Sequence, residues 1–200
     1  MPAHNEAWRA YLHGLGIEFE DLDRRMHGRR NDEIVADFIG GELTSEMIFA
    51  HGAAKEQLFR DMMRDDLKAH LVPGIVEFLE SSKPLPAGVA SNAERANIDF
   101  VLDGAGLRER FHVIVDGHQV ERPKPHPDIY LRAAQLLQVP PAQCAVFEDS
   151  PAGVAAALSA GTRVIGVETH PADLSGVELL IRDFKDPALK EWLRSVESRT

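Results

Sequence analysis

This 200-residue sequence is poor in several features, and each scarcity excludes a class of protein. Cys144 is its one cysteine, so an intrachain disulfide is impossible and a reducing compartment is expected. No apolar run approaches the roughly 18 residues of a membrane-spanning helix. The start M-P-A-H-N-E-A-W has no signal-peptide character. We therefore expect a cytoplasmic protein with no membrane partner.

Positive charge is scarce too, because 22 lysines and arginines stand against 32 aspartates and glutamates. The formal net charge of −10 argues against nucleic acid or an anionic membrane as the main partner. The negative charge does not exclude a small phosphorylated metabolite as partner, because an anion-binding site needs only a few local hydrogen-bond donors. The sequence also lacks familiar nucleotide-binding and zinc-binding patterns, such as G-x-x-x-x-G-K-[S/T] and H-E-x-x-H.

The first seventy residues carry helical patterns only. Asn31 is a suitable N-cap for a helix with two acidic residues in its first turn. A longer helix is predicted over residues 44–64. Lys55 falls on the apolar face of that helix, seven residues after Ile48 and four before Phe59.

From about residues 71–74 onward, short apolar runs alternate with helical patterns. This alternation predicts right-handed crossovers and a parallel, Rossmann-like α/β sheet with helices on both faces. We expect a helical part over residues 1–70 and an α/β domain over residues 71–200. The predicted strands lie at 85–90, 112–115, 144–147, 163–167 and 177–181, and the predicted helices between them at 92–102, 128–137 and 151–160.

Ligands of open parallel sheets bind beyond the carboxyl ends of the strands. Glu148 and Asp149 follow the third predicted strand, and two adjacent carboxylates there suit a hard cation such as Mg²⁺. An ordinary helix start fits the same segment equally well, with Ser150 as N-cap and Pro151 at the first helical position. Taken alone, the segment leaves both interpretations open.

Two further residues follow predicted strands or precede predicted helices. Ser91 could donate its hydroxyl to a phosphate oxygen, although S-N-A-E also fits a helix capping box. Lys124 is held between Pro123 and Pro125, which suits a fixed charge aimed at a phosphoryl group. A solvated loop lysine is the ordinary alternative. The proline-rich loop also suggests a cis peptide bond at Lys124-Pro125.

The order of these segments is more specific than any one of them. A strand ending in serine, then K-P-H-P-D-I-Y, then V-F-E-D-S-P-A-G resembles the second, third and fourth motifs of the haloacid dehalogenase superfamily. The nearest subgroup is the β-phosphoglucomutase-like phosphatases with a helical cap. The resemblance implies Mg²⁺ as cofactor, Ser91 and Lys124 as catalytic residues, Glu148 and Asp149 as metal ligands, and Asn92 as a substrate contact. We expect a monomer.

In this superfamily a cap selects the leaving group and excludes bulk water, and residues 1–70 resemble such a cap. Its cationic candidates for substrate binding are Arg29, Arg30 and Lys55. A solvated turn is the alternative for the two arginines. The loop G-R-R-N-D-E-I has Asn31 where the mutase carries a phosphate-holding arginine, which favours a phosphatase.

The superfamily's first motif, D-x-D-G, supplies a nucleophilic aspartate and an acid/base aspartate. In this sequence no D-x-D follows an apolar strand, and we reject Asp21-Leu22-Asp23 because its surroundings are polar and helix-like. We therefore expect that the nucleophile lies outside these residues and that the central first strand of the sheet is missing. The chain by itself should then be inactive or severely impaired. A start codon assigned too late, or a truncated sequence, is the expected cause.

Three functions are compatible with these motifs. The first is hydrolysis of a small phosphomonoester, such as a sugar or polyol phosphate, through an aspartyl phosphate. The second is phosphate exchange on a hexose phosphate, as in a β-phosphoglucomutase. Because Lys55 is retained, this function remains an alternative. The third is a catalytically incompetent protein that binds phosphorylated ligands and has lost the nucleophile.

Overall fold

The computed structural model describes residues 2–18, 22–26, 29 and 31–197. The chain divides into two compact units, Met1–Leu67 and Lys68–Thr200. This division falls a few residues before the predicted change of pattern at 71–74. Within the described ranges, no helix is long and apolar enough to cross a membrane.

The first unit consists of helices whose apolar faces meet in one core. These helices are α1 (Pro2–Gly14), α2 (Leu22–Met26), α3 (Asn31–Phe38) and α4 (Ser45–Met63). Thr44 caps α4 by accepting a hydrogen bond from the Met47 amide at 3.2 Å, which confirms the helix predicted over 44–64. The buried core side chains are Trp8, Leu12, Leu22, Met26, Ile34, Val35 and Phe38.

The second unit alternates strands and helices, as predicted. Its helices are α5 (Ile75–Ser81), α6 (Arg95–Ala105), α7 (Asp128–Leu137), α8 (Pro151–Ser159) and α9 (Pro187–Glu197). Its strands are β1 (Gly88–Ala90), β2 (Val113–Val115), β3 (Ala145–Glu148), β4 (Arg163–Val167) and β5 (Leu179–Ile181). Each predicted strand is present, and half of the strand boundaries agree with the prediction, while the others differ by one to three residues.

One helix start was predicted wrongly. The capping-box interpretation placed a helix directly after Ser91, but α6 begins at Arg95, with Glu94 at its N-cap position. The Ser91 hydroxyl instead accepts a hydrogen bond from the Ala93 amide at 3.1 Å. Ser91 therefore belongs to the loop beyond β1 and does not cap α6.

All strand pairings are parallel. β1 pairs with β2, with Ala90 opposite Val115, and β3, β4 and β5 form a second sheet in that order. In the part of the chain that the structure describes, no strand pairs with the other edge of β1 or of β3. Among the described residues, the parallel strands thus form two separate sheets.

Apolar layers cover both faces of the sheet formed by β3, β4 and β5. Val146 and Val164 face a core to which α7 and α8 contribute. On the opposite face, Phe147 and Ile165 pack in a second core with Phe78 of α5. Successive residues of each strand point to opposite faces, and both faces are apolar, as is typical of a buried parallel sheet. The predicted α/β architecture is confirmed.

Candidate active site

The carboxyl ends of β1 and β3 are linked through Lys124. The backbone amide of Lys124 donates to Asn92 Oδ1 at 3.2 Å, just beyond β1. Its ammonium group forms an ion pair with Glu148, the last residue of β3. The peptide bond between Lys124 and Pro125 is cis, as hypothesised. The structure therefore brings together Ser91, Asn92, Lys124, Glu148 and Asp149, which the sequence predicted as one site.

Lys124 is not a solvated loop lysine. Its side chain is 10% exposed, and that of Glu148 is 7% exposed. The ammonium group also lies 4.8 Å from the centre of the Tyr130 ring. A buried cation held by a carboxylate and an aromatic ring has a fixed position, which is what a phosphate contact requires.

Hydrogen-bond donors surround the Glu148 carboxylate. Oε1 accepts from Lys124 and from the Tyr130 hydroxyl. Oε2 accepts from the amides of Asp149 and Ser150 at 3.1 and 3.3 Å, and from the Ser150 hydroxyl at 3.1 Å. Gly153 has no side chain, and a methyl group at that position would overlap this carboxylate. Glu148 is therefore packed against the first turn of α8.

These contacts determine the protonation states. Burial alone would raise the pKa of Glu148, but the charge of Lys124 and the surrounding donors lower it below its usual value. Burial, and then the negative charge of Glu148, raise the pKa of the Tyr130 phenol. Glu148 is thus ionised and Tyr130 remains a neutral donor at physiological pH.

Asp149 has a different environment from Glu148. Its Oδ2 accepts a hydrogen bond from Thr169 Oγ1 at 2.7 Å. Its Oδ1 has no hydrogen-bond donor among the described residues, and the side chain is partly exposed. A carboxylate with one available oxygen fits Mg²⁺. Both oxygens of Glu148 are already engaged, so Asp149 is the better fitting of the two predicted ligands.

Three further residues of this region make contacts that the sequence motifs did not predict. Tyr130 lies within K-P-H-P-D-I-Y, and its hydroxyl donates to Glu148. Asp116 follows β2, is 5% exposed, and accepts from the His118 amide at 2.9 Å and from Gln119 Nε2 at 2.7 Å. The strand-end rule that found Ser91 could have found it. Thr169 had no sequence signal, because only the fold brings the loop after β4 to Asp149.

The predicted substrate contacts of the first unit have partners there. Lys55 is 1% exposed and forms an ion pair with Glu56, so its predicted inward position is confirmed. Asn31 donates to the same carboxylate at 2.6 Å. Arg29 pairs with Asp37 at 2.7 Å on the surface. Arg30 lies outside the described residues.

His4 completes the buried polar group of the first unit. Its Nδ1 lies 3.4 Å from Lys55 Nζ, and its ring stacks on Phe59 with centroids 3.8 Å apart. Burial, and then the charge of Lys55, lower the pKa of His4 to about 4, although Glu56 opposes this effect. His4 is therefore neutral at pH 7 and can accept a hydrogen bond from Lys55.

Comparisons with known proteins agree with this geometry. A family model described as haloacid dehalogenase-like hydrolase matches residues 2–161. The chain belongs to this family. The β-phosphoglucomutase of Bacillus subtilis is 32% identical to this chain over 205 residues. The match covers 94% of this chain and 88% of the mutase. Hexitol phosphatase A of Escherichia coli is 33% identical over 205 residues, covering 92% and 85% of the two chains.

A solved structure shows the same fold. The crystal structure of a family IA, variant 3 haloacid dehalogenase hydrolase from Entamoeba histolytica matches with a TM-score of 0.86 and 27% identity. The match covers 98% of this chain and 93% of that one. The predicted resemblance to the haloacid dehalogenase superfamily and its β-phosphoglucomutase-like subgroup is thereby confirmed.

Proposed function

We propose that this chain carries the metal and phosphate site of a Mg²⁺-dependent phosphatase acting on small sugar or polyol phosphates. The observation that carries the proposal is the arrangement of Ser91, Lys124 and Asp149 at the carboxyl ends of parallel strands. One cation, one hydroxyl and one available carboxylate oxygen are the groups that a phosphomonoester and its metal ion require.

Each residue has a defined role in this proposal. The Ser91 hydroxyl donates its hydrogen to a phosphate oxygen. The Lys124 ammonium keeps one hydrogen on Glu148 and directs the others towards the phosphoryl group. Asn92 fixes the backbone at Lys124 and can contact the substrate. Asp149 would hold Mg²⁺ through Oδ1, and the bound ion would offset negative charge on the phosphoryl oxygens.

The nucleophile is a separate part of the proposal. In this family a carboxylate oxygen attacks phosphorus and the alcohol leaves, after which water cleaves the aspartyl phosphate. We propose that the attacking aspartate is not among these 200 residues. The chain alone should then be slower than a nucleophile-containing form by on the order of 10⁴–10⁶-fold.

Two observations test that part. The in-frame codons that precede Met1 should encode a D-x-D-G segment, and the extended protein should release phosphate from sugar or polyol phosphates far faster than the 200-residue chain. Full activity of the 200-residue chain would refute this placement of the nucleophile. Magnesium-dependent binding of phosphorylated ligands without a D-x-D-G segment upstream would favour the third function, a binding protein.

A phosphomutase is the second candidate function. Some observations support the phosphomutase, and others support the phosphatase. Lys55 and a 32%-identical β-phosphoglucomutase support the mutase. Asn31, at the position of the mutase's arginine, donates to Glu56, which supports the phosphatase. Phosphate release from a panel of hexose and hexitol phosphates would support the phosphatase. Isomerisation of β-glucose 1-phosphate without phosphate release would refute it.

A further inference from the structure

The loop that follows β4 supplies a hydrogen bond to Asp149. Thr169 lies two residues beyond Val167, the last residue of β4, and its Oγ1 is 2.7 Å from Asp149 Oδ2. The same Oγ1 is 2.9 Å from His170 Nδ1. An ionised carboxylate can only accept, so the hydrogen of the Thr169 hydroxyl must point to Asp149.

The direction of the second hydrogen bond follows from the first. A threonine hydroxyl has one hydrogen, and Asp149 already takes it. The contact between Thr169 and His170 is therefore a hydrogen bond only if His170 Nδ1 carries a hydrogen and donates it. In that tautomer of His170, hydrogen bonds run in one direction, from His170 through Thr169 to Asp149.

We propose that Thr169, oriented by His170, is a positioning residue that fixes the Asp149 carboxylate and turns Oδ1 towards a divalent cation. This inference rests on the proposed function, because it gives Asp149 the metal. Partners that orient a metal-binding carboxylate commonly change metal affinity tenfold to hundredfold when they are removed. Thr169 does not touch the metal or the substrate in this proposal.

The contrast with Glu148 explains why a single threonine matters. Glu148 is held by donors on both oxygens and by its burial against α8. Among the described residues, the Asp149 carboxylate has Thr169 as its one side-chain hydrogen-bond donor. Removing the hydroxyl would leave the Asp149 side chain free to change rotamer, with a loss of pre-organisation for the cation.

Binding of Mn²⁺ to the chain, measured from the electron paramagnetic resonance signal of the unbound ion, tests the proposal. We expect Thr169→Val to weaken Mn²⁺ binding by about tenfold or more, and Thr169→Ser to retain the parent affinity. Thr162→Val is the matched control, because the Thr162 hydroxyl donates to Ala157 O at 2.9 Å, away from the site. His170→Phe should weaken binding in the same direction as Thr169→Val.

Asp149→Asn separates this inference from the function on which it rests. If the parent chain binds no Mn²⁺, or if Asp149→Asn binds as tightly as the parent, the metal site itself is refuted. If Asp149→Asn loses binding while Thr169→Val keeps it, only the positioning role is overturned. Equal thermal midpoints of the parent and Thr169→Val, followed by circular dichroism, would show that the loss is not one of folding.

Discussion

At the scale of single residues, the site depends on one buried ion pair. Burial of Lys124 and Glu148 costs free energy that attraction alone does not always offset. Here Tyr130 and the first turn of α8 supply the additional hydrogen bonds. The pair therefore fixes a geometry: Glu148 holds the Lys124 ammonium group in place, and Lys124 keeps Glu148 ionised.

Replacing Lys124 by alanine should destabilise the second unit. The substitution leaves the Glu148 carboxylate buried without its cation, and we expect a loss of about 3–5 kcal/mol in the free energy of unfolding. Lys190→Ala, at an exposed position of α9, should stay within about 0.5 kcal/mol of the parent. Urea unfolding at pH 7 measures both. Similar values for the two variants would contradict the structural role of Lys124.

Acid should weaken the same pair. The pKa of Glu148 lies below the ordinary value of 4.5, because Lys124 and the donors outweigh burial. As the pH falls below about 4.5, the unfolded chain binds a proton before the folded chain does. The stabilisation is therefore complete above that pH and is lost as the pH falls through the folded-state pKa. The difference in unfolding free energy between the parent and Glu148→Gln should shrink over this range, and a constant difference would contradict the lowered pKa.

At the scale of elements, α8 joins the sheet to the site. Ser150 caps it by accepting from the Gly153 amide at 3.1 Å, and Pro151 is its first residue, as the sequence predicted. The Ser150 hydroxyl also donates to Glu148. The helix-start interpretation of this segment is thus confirmed, while the metal-binding interpretation of Glu148 and Asp149 stays a prediction. The two interpretations are compatible.

Gly153→Ala tests the contact between α8 and the carboxylate. Alanine ordinarily stabilises a helix by about 1 kcal/mol relative to glycine, but here its methyl group would overlap Glu148. We expect a net loss of about 1–3 kcal/mol. Gly52→Ala in α4 is the control, since its Cβ would lie at an ordinary 3.6 Å from Asn31 Cβ. Thermal unfolding measures both, and a gain of stability in Gly153→Ala would contradict the packing.

The two helix starts show which local signals the sequence carries. Ser150 was predicted correctly because the residues it contacts, Glu148 and Gly153, are close in sequence. Ser91 was predicted wrongly because its neighbourhood is determined by distant strands and loops. Its amide donates to Val115 O of β2 at 3.0 Å, and the next residue, Asn92, accepts from the Lys124 amide. These long-range hydrogen bonds lengthen the loop after β1, so α6 begins later in the sequence than predicted.

At the scale of the whole molecule, the division of the sheet has a measurable consequence. Alternate residues of a parallel strand bond to the same neighbour. The Ser91 amide donates to Val115 O, so Val89 and Ser91 face β2 and the amide of Ala90 faces the other edge. In the second sheet, Arg163 N donates to Cys144 O, so Cys144 and Val146 face β4. The amide of Phe147 therefore faces away from β4.

Hydrogen exchange should detect these two edges. We expect the amides of Ala90 and Phe147 to exchange about fivefold faster than those of Val89 and Val146, the equivalent of one hydrogen bond of about 1 kcal/mol. Ile165 in β4, which has a neighbouring strand on each side, should be protected like Val146. Equal protection of all five amides, measured by nuclear magnetic resonance, would mean that the two edges are paired.

The sequence by itself determined the class of the fold, because hydrophobic periodicity is local and each strand and helix carries its own. It also determined which residues are chemically suited to the site, since the ends of parallel strands meet at one edge. Only the tertiary structure decided which contacts each of those residues makes. Glu148 is engaged by Lys124 and Tyr130, whereas Asp149 keeps an available oxygen and is held by Thr169. The reason is physical: burial and hydrogen bonds between residues far apart in sequence exist only once the chain has folded.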